Sequence, residues 1–223
     1  MIKKLSAPIK KLREPINGLT HLIGVILALV AFWALLQAAL KYGTKWHVIS
    51  FSVFGVSLIA LYTASTLYHS LPLTEDGLRM FRRIDHIMIF VLIAGSYTPF
   101  CLVPLRGTLG WTMFSLIWGI ALGGIALKIW WLDAPQWLSL SIYIGMGWFA
   151  AVAIYPLAMA MPLAAFVWLI AGGVIYTIGA VLYGIKWPNP IPNVFGSHEI
   201  WHIFVLGGSF CHFCSVYYYL TYL

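Results

Sequence analysis

The chain has 223 residues, of which 62% are hydrophobic and 9% charged, whereas a soluble domain carries roughly 25% charged residues; a water-soluble globule is excluded. At about 20 apolar residues per membrane-spanning helix, seven spans take about 140 residues, which leaves short connections and no room for a separate soluble domain. The formal net charge of +7 belongs at lipid headgroups and not on nucleic acid, for which the chain has no folded surface to offer.

Apolar runs broken by charge, Pro or Gly predict an all-α, polytopic bundle with seven spans at roughly 19–40, 48–70, 84–104, 110–131, 136–157, 163–185 and 199–221. Residues 1–18 read as a basic N-terminal segment and 19–223 as one transmembrane domain. Lys3, Lys4, Lys10, Lys11 and Arg13 ahead of the first span resemble the start of a signal peptide, but the apolar run is too long and six more follow, so this helix is retained. Pro99, late in the third span, is expected to kink it. Cys101, Cys211 and Cys214 lie in apolar stretches and read as packing residues, not as disulfide partners. A Gly-Gly pair at 123/124 and again at 172/173 is too weak an echo to make a repeat.

Orientation follows from the Lys and Arg on alternate sides. Ten fall with the N-terminus, including Arg79, Arg82, Arg83, Lys128 and Lys186, against Lys41, Lys45 and Arg106 opposite. The positive-inside bias then puts the N-terminus in the cytoplasm and the C-terminus outside, in the plasma or bacterial inner membrane.

Ionisable groups in a span are costly and so are functional candidates by default. Ser65 and His69 (S-T-L-Y-H) end the second span, Asp85 and His86 open the third, and His198, Glu199 and His202 (H-E-I-W-H) open the seventh. Because successive spans alternate in direction, the three clusters meet at one depth near the cytoplasmic face. His198 and His202 are four residues apart, about 6 Å along a helix and on one face, which suits a single metal ion. His69 supplies a third imidazole, and zinc with three protein ligands keeps a fourth position for water, whose pKa it lowers to about 7. Asp85 is placed to accept that proton and Ser65 to stabilise an oxyanion. Blander readings stand beside these: Ser65 bonded to its own helix backbone, Asp85 bridged to Arg82 or Arg83 at the surface, and the histidine pair as interfacial polarity. His86 and Glu199 are expected at the headgroups. His212, about 20 Å along the helix from His198, is too distant to share the metal. Glu14, Asn17, Thr20 and His21 (E-P-I-N-G-L-T-H) share a helix face at the same end, either orienting the ligands or capping the first helix.

E-P-I-N-G-L-T-H, S-T-L-Y-H, I-D-H with the later A-G-S-Y-T-P-F, and S-H-E-I-W-H followed by V-L-G-G-S-F-C-H-F resemble the hemolysin III family, within the superfamily of progestin and adipoQ receptors and alkaline ceramidases. The likeness runs in order from Glu14 to about Tyr217 and does not depart at the metal positions. It implies seven helices with a cytoplasmic N-terminus, His69, His198 and His202 as zinc ligands, and Asp85 and Ser65 close to the metal.

The leading expectation is therefore an integral-membrane zinc hydrolase acting on a lipid amide or ester linkage. The alternatives are a zinc-containing sensor of membrane lipid or energy state and a haemolytic pore-former. Membrane lipid is the expected substrate or ligand; the sequence does not fix the oligomeric state. A retinal protein is excluded, since the last span has no lysine; haem and di-iron sites need opposed axial ligands or more carboxylates than Asp85 and Glu199. Reporter fusions test the topology: the N-terminus and the Leu71 to Arg83 loop should report cytoplasm and Leu223 the outside. A cytoplasmic C-terminus would overturn the orientation.

Overall fold

In lipid every backbone N–H and C=O must be satisfied within the protein, and a helix does this segment by segment. The computed structural model describes residues 12–192 and 194–223; Lys3, Lys4, Lys10 and Lys11 of the basic segment lie outside the described residues. Eight α-helices follow in order: α1 Pro15–Tyr42, α2 Lys45–Ser70, α3 Glu75–Leu102, α4 Thr108–Trp130, α5 Gln136–Trp148, α6 Ile154–Ala160, α7 Leu163–Ile185 and α8 Ser197–Tyr218. With α5 and α6 taken as one span, seven segments are long and apolar enough to cross a membrane. The all-α, seven-span expectation holds.

Two elements differ from the sequence reading. Helix α3 begins at Glu75, well before the apolar run, because Thr74 Oγ1 accepts from Gly77 N at 3.3 Å and Glu75 and Asp76 sit in the first turn, where the helix dipole favours negative charge. The span expected as one helix over 136–157 breaks into a 3₁₀ segment at Phe149–Ala153. Tyr97 of α3 meets the break: its hydroxyl accepts from Ala150 N at 2.8 Å and is within donating distance of the Met146 and Gly147 carbonyls, at 2.8 and 2.6 Å. One phenol thereby satisfies groups that the broken ladder releases.

The helices close in a ring, α1 on α2, α2 on α3, α3 on α4, then α5 between α3, α4 and α7, α7 on α8, and α8 back on α1. Half or more of the apolar window of α2, α3 and α8 is buried, against 22–28% for the other spans. These three are therefore the central helices, and they carry the Ser65, His69, Asp85, His198 and His202 motifs. One core cluster is built on Leu35, Phe51, Phe54 and Phe100, and a second on Phe90, Ile117 and Tyr143. Trp130, Trp131, Trp137 and Trp187 project outward at the end where α1 starts, with Tyr42, Trp111, Tyr218 and Tyr222 at the other, the aromatic belts of a membrane-spanning bundle. Of the seven histidines, His47 has a structural role: Nδ1 accepts from Thr44 N at 3.0 Å to cap α2, which leaves Nε2–H to donate to Leu220 O at 3.0 Å.

The Gly-Gly pairs resolve into one contact glycine and one lipid-facing glycine each. A Cβ on Gly124 would lie 2.2 Å from the fully buried Phe90 ring and one on Gly172 2.4 Å from His212, while Gly123 and Gly173 face open space. Gly124→Ala should therefore force α3 from α4 and cost about 1–3 kcal/mol. Gly123→Ala, which meets nothing, should stabilise its helix by up to about 1 kcal/mol. Melting temperatures of the two variants in one detergent check this; an equal response would mean that α3 and α4 do not pack on Gly124.

Candidate metal centre

Three helices converge where the sequence concentrates its ionisable groups. His69, in the last turn of α2, and His198 and His202, in the first turns of α8, bring one ligand atom each to within 4.8 Å of the others. Their ring centroids are 4.9 to 5.1 Å apart. Tetrahedral zinc, with Zn–N bonds of about 2.0–2.1 Å, sets its ligand nitrogens about 3.4 Å apart. The three imidazoles are thus gathered in a range that could hold one ion.

The hydrogen bonds around them select which nitrogen faces inward. His69 Nδ1 lies 2.5 Å from Glu14 Oε2, and an ionised carboxylate only accepts, so Nδ1 carries the proton and Nε2 keeps its lone pair. That Nε2 is buried and has no protein partner, an arrangement that costs free energy unless something else fills the position. Thr20 Oγ1 donates to Asn17 O at 2.9 Å and lies 3.2 Å from His202 Nδ1; with its one hydrogen committed it can only accept, which again fixes Nδ1–H and frees Nε2. The His21 ring stacks on His202, centroids 3.6 Å apart and planes within 10°. The orphaned Nε2 and the fixed tautomers are what a histidine-ligated metal requires of its surroundings.

Glu14 is held from several sides. Its backbone N–H donates to His69 O at 3.0 Å, Asn17 Nδ2 donates to its carboxylate at 3.2 Å, and Arg13 lies 3.2 Å away. The hydrogen bond from His69 brings the Glu14 carboxyl down to about 2, against the opposing effect of partial burial. Arg13 also donates to Tyr68 O at 2.9 Å and stacks over the Tyr68 ring, so the residues leading into α1 clamp the end of α2. On this face Glu14, Thr20 and His21 contact the His69 and His202 rings, Asn17 bonds Glu14, and no side chain caps α1.

Asp85 and Ser65 line the cavity that opens beside the three histidines, with a volume of about 520 Å³. Both are buried, and Ser65 Oγ makes no hydrogen bond among the described residues. Among the described residues Asp85 forms no bridge to Arg82 or Arg83: Arg82 turns to Asp133 at 2.9 Å, and Arg83 Nε is buried without a partner. His86 departs from the headgroup expectation. It is only partly exposed, lines the cavity and holds a buried, unpartnered Nδ1, because the helical extension back to Glu75 carries it below the rim. Glu199 is spent on local structure, accepting from Gly196 N at 2.8 Å to cap α8. His212 stands apart from the three clustered histidines but on the wall of the same cavity. Next to it Tyr62 and Tyr176 both bond Ser209, at 2.7 Å each, a polar knot in which Ser209 belongs to V-L-G-G-S-F-C-H-F while the two tyrosines are lone residues in apolar helices. Cys211 and Cys214 are free and buried.

The family profile described as haemolysin-III related matches residues 9–213. The chain belongs to the haemolysin-III family. Among haemolysin-III relatives, the Hemolysin-3 homolog of Bacillus subtilis (strain 168) is 44% identical over 92% of this chain and 93% of its own length. Hemolysin-3 of Bacillus cereus is 42% identical over 99% and 98%. Similarity extends more weakly to the human Monocyte to macrophage differentiation factor, 29% identical over 78% of this chain and 72% of that protein. This haemolysin-III protein is thus an integral membrane protein that carries a histidine cluster at one end of its bundle.

Two sets of variants test the centre. His69→Ala, His198→Ala and His202→Ala should each lower the bound metal measured by plasma emission spectrometry on purified protein. Glu14→Ala should weaken metal affinity by about 10- to 100-fold, the usual effect of removing a ligand's orienting partner. Full metal content in all three histidine variants would place any metal elsewhere.

Proposed function

We propose that this protein is a zinc-dependent hydrolase of the cell membrane that cleaves an amide or ester linkage of a lipid near the cytoplasmic face. The observation that carries this reading is a single cavity whose wall joins the three-histidine cluster, Asp85 and Ser65 to a run of apolar side chains including Leu92, Phe100, Leu105 and Met113. His69, His198 and His202 would hold the zinc, which when bound would supply Lewis acidity at this end of the cavity. The buried Asp85 carboxylate accepts the proton that the water gives up and returns it to the leaving amine or alkoxide. Ser65 Oγ–H, beside Asp85, donates to the carbonyl oxygen as negative charge develops there. The apolar wall holds the acyl chain and keeps bulk water out.

The same ligands bind α2 to α8, and this supports a second reading, in which the metal is structural and the protein senses lipid state without turnover. Asp85→Asn separates the two. Under the hydrolase reading it keeps the zinc and lowers lipid turnover by about 100-fold or more, the effect of losing a general base, and Ser65→Ala costs about 3 kcal/mol in the barrier. Zinc content, melting temperature and the lipid profile of cells should be measured on both variants, wild type and a deletion strain. Identical lipid profiles in all four, with metal retained, would leave only the sensor.

A further inference from the structure

Lys128 stands two residues before the end of α4, at the level of the Trp130, Trp131 and Trp137 belt. A lysine at that depth ordinarily runs its stem along the lipid and puts its ammonium in water. Lys128 does the reverse: it is 2% exposed, lines the cavity, and donates from Nζ to Ser139 Oγ at 2.7 Å. An ammonium has three N–H donors, and Ser139 engages one. Among the described residues no carboxylate lies within ion-pair distance of Lys128; Asp133, five residues on, has one oxygen on Arg79 and the other on Arg82. Arg82 and Lys128 line the cavity together with Asp85 and with Glu14, which is taken up by Arg13 and His69 at the histidine end; Arg79 and Asp133 are not on its wall. A buried charge with no counter-ion is among the costlier arrangements in a protein. It is relieved when an anion occupies the cavity beside it, and Ser139, having accepted from Lys128, still has its own hydrogen to donate to the same anion. The cavity beyond is apolar, so the anion that fits carries a hydrocarbon chain.

We propose that Lys128 and Ser139 bind the phosphate of an anionic phospholipid, one whose charge no amine of its own headgroup cancels, with its acyl chain in the cavity that leads to the three histidines. This rests on the reading that the cavity receives a lipid, and not on hydrolysis or on zinc. Arg82, on the same cavity wall, adds positive potential at the entrance.

Native mass spectrometry of the full-length protein, released from bilayers of equal phosphatidylglycerol and phosphatidylcholine, tests it. The proteins compared are wild type, Lys128→Met, Ser139→Ala and, as a charge control, Lys186→Gln at the exposed end of α7. Wild type should retain phosphatidylglycerol over phosphatidylcholine by about tenfold, the contribution of a charge-assisted hydrogen bond. Lys128→Met should bring that ratio to about one, Ser139→Ala should reduce it, and Lys186→Gln should leave it intact. Equal retention of the two lipids by wild type overturns the proposal without recourse to any variant, so a Lys128→Met protein that failed to fold would not shelter it. An undiminished preference in Lys128→Met or a loss in Lys186→Gln also overturns it. A second arm adds inorganic phosphate at millimolar concentration: a phosphate adduct that depends on Lys128, without any lipid preference, identifies a soluble anion and refutes the lipid assignment. All measurements are repeated on metal-stripped protein. A preference that survives there stands even if no turnover is ever found, and turnover with no preference would retain the hydrolase while removing this ligand.

Discussion

A polar group in hydrocarbon has no water to turn to, and this constraint arranges the whole molecule. The backbone meets it by helix formation over nearly the whole described chain. The side chains meet it locally: Ser57, Thr66 and Thr98 return their hydroxyls to carbonyls three or four residues back, and His47 joins the cap of α2 to the end of the chain at Leu220. Tyr97 repairs a broken helix. Where the accounting fails, it fails mostly along one cavity. Ser65 Oγ, His69 Nε2, His86 Nδ1, both nitrogens of His21 and both of His212 are buried without partners and line it, whereas Arg13 Nε, Asn17 Oδ1 and Arg83 Nε, also unpartnered, lie off it. Unmet polarity gathered on one wall is where a polar occupant lowers the free energy most.

The histidine cluster depends in turn on Glu14, the residue just before the first helix. By accepting from the His69 ring and donating its own backbone N–H to the His69 carbonyl, it fixes both the rotation of the imidazole and the approach of α1 to α2. Thr20 and His21, about two turns further on, do the same for His202. Two of the three histidines are thus oriented by the first helix and the residue ahead of it.

Much of this was legible from the sequence, because in a membrane two signals dominate: apolar run length, which gives the spans, and the rarity of ionisable groups, which isolates His69, Asp85, His198 and His202. Span direction alternates, so motifs hundreds of ångströms of extended chain apart can be assigned to a common level with no knowledge of packing. What stayed hidden depends on neighbours. The break at Phe149–Ala153 is tolerated only because Tyr97 arrives from another helix. The extension of α3 to Glu75 lies outside the hydrocarbon, where hydropathy carries no information about helicity. Lys128 counted as a headgroup charge, since a long stem can turn either way and only the packing of α5 shows that it turns inward. Tautomers follow from hydrogen bonds that no spacing rule contains.

The ring of helices closes between α1 and α8, and the three clustered histidines lie on α2 and α8, with Glu14 just ahead of α1 and Thr20 and His21 within it. Until α8 docks, His69 and Glu14 have nothing to be held against, so the cluster exists only in the closed ring. A ligand that bridged His69 to His198 and His202 would therefore act as a latch on the bundle, drawing α2 to α8 and, through Glu14, the start of α1 to both.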